Sequence, residues 1–232
     1  MFQFIQRLLK PQHFHDIIEC LAAALEAKDL YTSGHSTRVG DMSYDLGRTM
    51  GLKGSELENI HIAAHLHDIG KMGISESILN KRGTLLPHEW AQIQNHSEIG
   101  YKILAKSKGL KQIAEIVLHH HERWDGKGYP NGLRKNEIPL GSRIIGVADA
   151  IDAITSIRPY RKALSWEECW DEVILNKGIQ FDPVVVEASE KLWKKWRDRW
   201  LESQKNHDKE IEGYVSKFLH IEEKLYRKPN EL

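Results

Sequence analysis

The sequence predicts an all-α bundle. Three observations carry this expectation. Apolar residues recur at helical spacing along most of the chain. No segment alternates apolar and polar residues between hairpin turn signals. Glycine or proline punctuates the periodic stretches.

The elements follow in order. Phe2, Ile5, Leu8 and Leu9 make at most one short amphipathic turn before Pro11, so residues 1–12 read as a docking segment or linker stub. Ile17, Leu21 and Leu25, with Ile18 and Ala22, form a first stripe. Val39, Met42, Leu46 and Met50 form a second that ends at Gly51, and Ile62, Leu66 and Ile69 a third that ends at Gly70. Ile113, Val117 and His120 share a face of the fourth, and Ile144, Val147, Ala148 and Ile151 mark the fifth. Between them, residues 125–141 gather glycine and proline into an ordered loop. After Pro183 the composition turns highly charged. Val185, Ala188, Leu192 and Trp196, then Ile211, Tyr214, Val215, Phe218, Ile221 and Leu225, mark two amphipathic helices. The expected organisation is a main domain over 13–190 and a helical extension over 191–232. The extension packs on its own body or offers a surface for a homodimer.

Composition narrows the function classes. The chain has 232 residues, enough for a core that needs neither disulfide nor structural metal to fold. Its 33 Lys and Arg balance 33 Asp and Glu, which argues against a surface built for long nucleic acid. No stretch approaches the roughly 18 apolar residues of a membrane helix, and the N-terminus is too polar for a secretory signal. Cys20 and Cys169 lie far apart with no CxxC, as in a reducing cytoplasm.

Histidine is the anomaly: there are 13, nine of them between His35 and His121. His35 shares the inward face of the Val39 helix. His67-Asp68 follows a helical stripe, His96 opens another, and His120-His121 ends the Ile113/Val117 face. Asp149 stands in the apolar run Ile144–Ile151, with Asp152 three residues on. An inward-facing imidazole or carboxylate needs a partner, and a metal is one. Five histidines and two aspartates from separate helices point to a di-metal site, with Asp68 able to bridge through its two oxygens. Imidazole and carboxylate without thiolate suit Fe or Mn, and Co, Ni or Zn in vitro. His61 and His65 have the i, i+4 spacing of a ligand pair, but they fall off the Ile62/Leu66 stripe and are left outside the site. His119 is likewise left out.

Several motifs together resemble one family. They are His67-Asp68-Ile69-Gly70-Lys71, the run from His120-His121-Glu122 through Gly126-Lys127-Gly128-Tyr129-Pro130, Asp149-Ala150-Ile151-Asp152, Arg158-Pro159-Tyr160-Arg161 and Phe181-Asp182-Pro183. In this order they resemble the HD-GYP branch of the HD phosphohydrolases, over about residues 14–190. The resemblance implies an HD-domain bundle that hydrolyses the bacterial second messenger cyclic di-GMP to pGpG or GMP, by attack of a metal-bridged hydroxide. It places His35, His67 and Asp149 on one ion and His96, His120 and His121 on the other, with Asp68 between. It also implies contact of the glycine loop with a diguanylate cyclase (GGDEF) domain. Some members carry a glutamate four residues before the first histidine, which helps bind a third metal; Tyr31 stands there, so two ions are expected.

Roles follow for the remaining polar residues. Lys71, one turn beyond Asp68, is expected to meet the phosphate oxygens or the hydroxide. Asp152 either positions the hydroxide or protonates the leaving 3′ oxygen, or else orients a ligand histidine. Arg158 and Arg161 suit phosphate or a guanine edge, and Tyr160 suits base stacking. Gly128, Tyr129 and Pro130 shape the pocket rim. Two alternatives stand beside cyclic di-GMP hydrolysis: a phosphodiesterase for another cyclic dinucleotide such as 3′,3′-cGAMP, and an adaptor that binds nucleotide or protein without turnover.

Overall fold

The computed structural model describes residues 11–29, 34–81, 83–156 and 163–202. The helices are α1 (Pro11–Glu26), α2 (His35–Thr49), α3 (Gly54–Leu66), α4 (Glu76–Leu79), α5 (Pro87–Gln94), α6 (His96–Leu104), α7 (Lys111–Leu118), α8 (Leu140–Thr155) and α9 (Trp166–Leu175), joined in places by 3-10 turns. Residues 183–202 are also helical. The expected all-α class is observed: among the described residues, an isolated bridge between Lys177 and Phe181 is the one β pairing. Contacts divide the chain after Lys191. Of the second unit only 192–202 is described, so the expected helix from Ile211 to Leu225 lies outside the described residues, as do Met1–Lys10.

The core is built around α8. Ile144, Ile145, Val147, Ala148 and Ile151 are all fully buried, so this helix is apolar on nearly every side, as a central helix must be. α2 packs on α3 and α8, and α3 also packs on α7. Leu46, Ile60, Leu66 and Ile113 fill the space between them. On α1 the inward stripe is shifted by one residue from the sequence expectation. Ile18, Ala22 and Leu25 are buried, while Ile17 and Leu21 are exposed. Both registers are helical, and only the packing partner decides between them.

α3 differs from expectation at its end. The apolar period runs on to Ile69, but the helix stops at Leu66 and a 3-10 turn occupies Ile69–Gly73. The lack of a side chain at Gly70 lets the chain turn here. A Cβ there would overlap the His96 carbonyl oxygen and lie 2.6 Å from the Gly100 nitrogen. Only glycine lets the turn lie directly on the start of α6. The ammonium of Lys28 closes the same turn from outside, donating to the carbonyls of Met72 at 2.9 Å and Ile74 at 2.7 Å. It thereby satisfies acceptors that a helix end leaves open.

The Phe181-Asp182-Pro183 motif has a packing role. Buried Asp182 accepts a hydrogen bond from the Val184 backbone N–H at 2.9 Å, capping the helix that starts at residue 183. Its other oxygen takes a 2.6 Å contact from Arg143 of α8.

Replacing Gly70 with alanine is expected to destabilise the fold by about 1–3 kcal/mol or more, because backbone rather than a flexible side chain must move. A urea unfolding curve with an unchanged midpoint would show that the contact is not tight.

Candidate metal centre and its cavity

α2 begins at His35, and its first turn is tied down by Glu26 of α1. Glu26 accepts from the backbone N–H of Gly34 at 2.6 Å and of Ser36 at 2.7 Å. His67 and Asp68 sit where α3 gives way to the 3-10 turn, with Asp68 in a bridging conformation (φ −93°, ψ 5°). Inside a helix, adjacent side chains diverge by roughly 100°. Ending the helix here lets the pair serve one site. His96 opens α6, His120 and His121 follow α7, and Asp149 and Asp152 come from α8.

The structure brings all seven expected ligands together. His35, His67 and Asp149 offer one set of converging donor atoms, His96, His120 and His121 a second, and His67, Asp68 and His120 a third that overlaps both, each within 4.8 Å. His35 Nε2 lies 3.2 Å from His67 Nε2, and His96 Nε2 lies 3.3 Å from His120 Nε2. A tetrahedral ion with metal–nitrogen bonds of about 2.0–2.1 Å holds its nitrogens roughly 3.3 Å apart. Asp68 stands between the halves: Oδ2 is 3.4 Å from His67 Nε2 and Oδ1 is 3.5 Å from His96 Nε2.

The outer nitrogens explain why the inner ones converge. Nδ1 of His67, His96 and His120 lies 2.6–2.7 Å from the carbonyl three residues earlier. A carbonyl can only accept, so each Nδ1 carries the proton and each Nε2 presents a lone pair inward. His35 reaches the same tautomer through Asp152, whose Oδ2 is 2.7 Å from its Nδ1.

Electrostatics favour ligands that are ready for a cation. Burial alone would raise the carboxyl of Asp68, but Lys71 first, then His67, His96 and His35, hold it well below the usual range. Asp149 is likewise lowered against burial by the neighbouring histidines. Burial pushes His121 down to about 3 and His120 well below its ordinary value, helped by neighbouring histidines, so both are neutral. His35 is the exception. Burial lowers it, yet its bond to Asp152 and the charges of Asp152, Asp149 and Asp68 raise it overall. Buried carboxylates outnumber fixed cations at this point, and a metal ion answers that imbalance.

Asp152 does not face the converging donors. Besides His35, it holds Arg38 at 2.5 Å through Oδ1, and it is buried. Of its two expected roles, this geometry favours orienting His35. Lys71 pairs with Asp68 at 2.8 Å and with Asp29 at 2.9 Å. His119 Nδ1 donates to the Glu115 carbonyl oxygen at 2.9 Å, and His119 joins no ligand group.

A cavity of about 760 Å³ opens at these donors, lined by His35, Asp68, Lys71, His121, Tyr129 and Asp149 together with Lys81, Thr84, Leu85, Trp90 and Ile93. Trp90 is 48% exposed, although an indole is usually covered. From the glycine loop, Tyr129 lines this cavity. The loop's chain is pinned to residues 179–180 by Trp124 N–H to Gln180 O at 3.0 Å and Asp125 N–H to Ile179 O at 2.8 Å. Gly128 presses on the backbone of residues 121–123, where a Cβ would meet the Glu122 Cα at 2.5 Å. This contact stacks Tyr129 on His121, ring centroids 4.8 Å apart. Gly128 thus works by position. Arg158, Tyr160, Arg161 and Tyr31 lie outside the described residues.

The sequence reading missed Asp29, Arg38, Lys81 and Trp90. Asp29 and Arg38 carry no periodic or motif signal, since their partners are distant in sequence. Trp90 carries one weak signal, a large aromatic on a short polar helix.

Comparison with known proteins agrees with this geometry. A family model described as HD domain matches residues 19–185. A cyclic di-GMP phosphodiesterase of Thermotoga maritima is 43% identical over 185 residues, 79% of this chain and 50% of that protein. A 3′3′-cGAMP-specific phosphodiesterase 2 of Vibrio cholerae is 41% identical over 180 residues, 77% of this chain and 34% of that protein. The chain spans half or less of these relatives' length. Among solved structures, a Vibrio cholerae cyclic GMP-AMP phosphodiesterase superposes with TM-score 0.60 at 21% identity, covering 76% of this chain and 48% of that one. The HD domain of a Listeria monocytogenes phosphodiesterase superposes with TM-score 0.55 at 16% identity, covering 78% and 98%. These two likenesses speak for the fold.

Asp152→Asn keeps the shape but removes an acceptor from His35 and Arg38. Metal affinity is expected to fall about 10- to 100-fold, as when such an orienting partner is lost. Metal titration of the stripped protein checks this, and an unchanged affinity would remove Asp152 from the site.

Proposed function

Because the chain belongs to the HD-domain family, we propose that it is a metal-dependent phosphodiesterase acting on a cyclic dinucleotide, cyclic di-GMP first, to give pGpG or GMP. One observation carries this reading. Two sets of inward donors lie on either side of Asp68, whose oxygens approach a histidine of each, and Asp68 lines a cavity of about 760 Å³, within the range of small-molecule sites. Such a site suits a phosphodiester, whose oxygens are the acceptors that cations and ammonium groups recognise.

Two divalent ions, iron or manganese by the donor set, would supply Lewis acidity and charge neutralisation there when bound. The chain's own residues do the rest. Burial would lower Lys71, but Asp68 and Asp29 raise it, so it stays an ammonium. It lines the cavity and offers N–H donors to a non-bridging phosphate oxygen. Burial, then Asp149 and Asp68, push the Tyr129 phenol up, so it remains a protonated wall beside His121. Asp152 holds the tautomer of His35. Trp90 presents an open face for a guanine or adenine ring. Arg158, Arg161 and Tyr160 are assigned to phosphate and base recognition on sequence grounds, and Gly128 and Pro130 to the rim. Docking of a diguanylate cyclase domain on this rim rests on the resemblance alone.

The relative at 41% identity is named for 3′3′-cGAMP, which favours a second substrate reading. The two dinucleotides differ in one base, so the metal floor cannot separate them.

Protein loaded anaerobically with ferrous iron or manganese is expected to hydrolyse cyclic di-GMP, with 3′,3′-cGAMP measured in parallel. Absence of turnover on both, with metal shown to be bound, would overturn the reading. Asp68→Ala is expected to abolish metal binding and hydrolysis together. Trp90→Ala should raise KM by the worth of one base stack, about 1–3 kcal/mol, with little change in kcat. A KM equal to that of the parent would exclude stacking on Trp90.

A further inference from the structure

A second cluster of histidines lies outside the centre. His15 comes from α1, and His61 and His65 from α3. One ligand atom from each lies within 4.8 Å of the others. His61 Nε2 and His65 Nε2 are 3.2 Å apart. That is close to the roughly 3.3 Å edge of a tetrahedral nitrogen site, and it matches the spacing of His35 to His67 in the centre itself. The His15 ring packs 4.8 Å from His61 and 5.5 Å from His65.

Three features mark the cluster as more than a chance meeting. His65 is 1% exposed, and its Nδ1 has no hydrogen-bond partner in the structure. Room for its ring is made by a glycine of α2: a Cβ at Gly40 would lie 2.7 Å from His65 Nε2. Carboxylates stand beside His15, with Glu19 Oε1 3.8 Å from its Nε2 and Glu58 Oε1 4.0 Å from its Nδ1. An i, i+4 pair on one helix with a third imidazole from another is a ready chelate.

We propose that His15, His61 and His65 form a separate binding site for a borderline divalent transition-metal ion, Zn²⁺ in the first instance, with Glu58 or Glu19 completing the coordination. Imidazole-rich donors without a bridging carboxylate favour zinc over the harder ions suited to the centre. The ion would fasten α1 to α3, the helix that ends in His67-Asp68. Its role is to hold that helix, and it takes no part in the chemistry.

The test counts zinc in the full chain. Metal-stripped protein is equilibrated with Zn²⁺, desalted and analysed for metal per chain, beside His61→Ala and His15→Ala. Each variant is expected to hold one ion fewer than the parent at unchanged circular dichroism. Zinc should also raise the parent's Tm by an increment that both variants lose in part. Equal metal counts in the parent and both variants would overturn the site and leave the 3.2 Å contact as a hydrogen bond between two neutral imidazoles. The count does not depend on any hydrolytic activity, so the site and the proposed function stand or fall separately.

Discussion

Asp68 is a carboxylate at 6% exposure, and much of the surrounding architecture is organised by the need to keep it ionised there. A bare buried carboxylate is costly and would take up a proton. Here Lys71 lies 2.8 Å away, and His67, His35 and His96 present nitrogens to it. The lysine is in turn held by Asp29, and its turn is capped by Lys28. The arrangement is therefore a chain of compensations in which each buried charge calls for the next. Asp149, which joins His35 and His67 in one donor group, adds negative charge that leaves a natural place for a divalent cation.

Precision in this centre comes from groups that never enter it. Carbonyls three residues upstream fix the tautomers of His67, His96 and His120, because each histidine sits just beyond a helical turn whose carbonyl is close by. Gly70 lets the turn after Asp68 rest on the first residues of α6, so ligands from two helices share one backbone contact. Gly128 does the same for the glycine loop, whose close approach to residues 121–123 leaves the Tyr129 ring against His121. In each case the absence of a side chain sets the distance between two chemical groups.

Much of the site was legible in the sequence for a simple reason. Polar residues on an otherwise apolar helical face have few bland explanations, and His35, His120 and Asp149 stand out on that ground. Asp29 and Arg38 did not, because their partners Lys71 and Asp152 are distant along the chain. The apolar stripe of α3 through Ile62 and Leu66 sets His61 and His65 apart from the inward face. Yet α3 is enclosed on more than one side, and His65 is as buried as His67. A stripe tells which face is apolar. It does not tell how many faces are covered.

What the sequence determined by itself is the helical class, the order of the elements and seven candidate donor residues, since periodicity and side-chain chemistry are local properties. What only the tertiary structure decided is where those elements stop and what they touch. The α1 stripe could turn either Ile17 or Ile18 inward, and packing chose Ile18. α3 had the pattern to continue to Ile69, and the close approach of Gly70 to His96 ended it at Leu66. Asp152 could have faced substrate, and Arg38, a partner 114 positions away, helps turn it toward His35. Each outcome depends on an atom contributed from elsewhere in the chain, and no local pattern encodes such a neighbour.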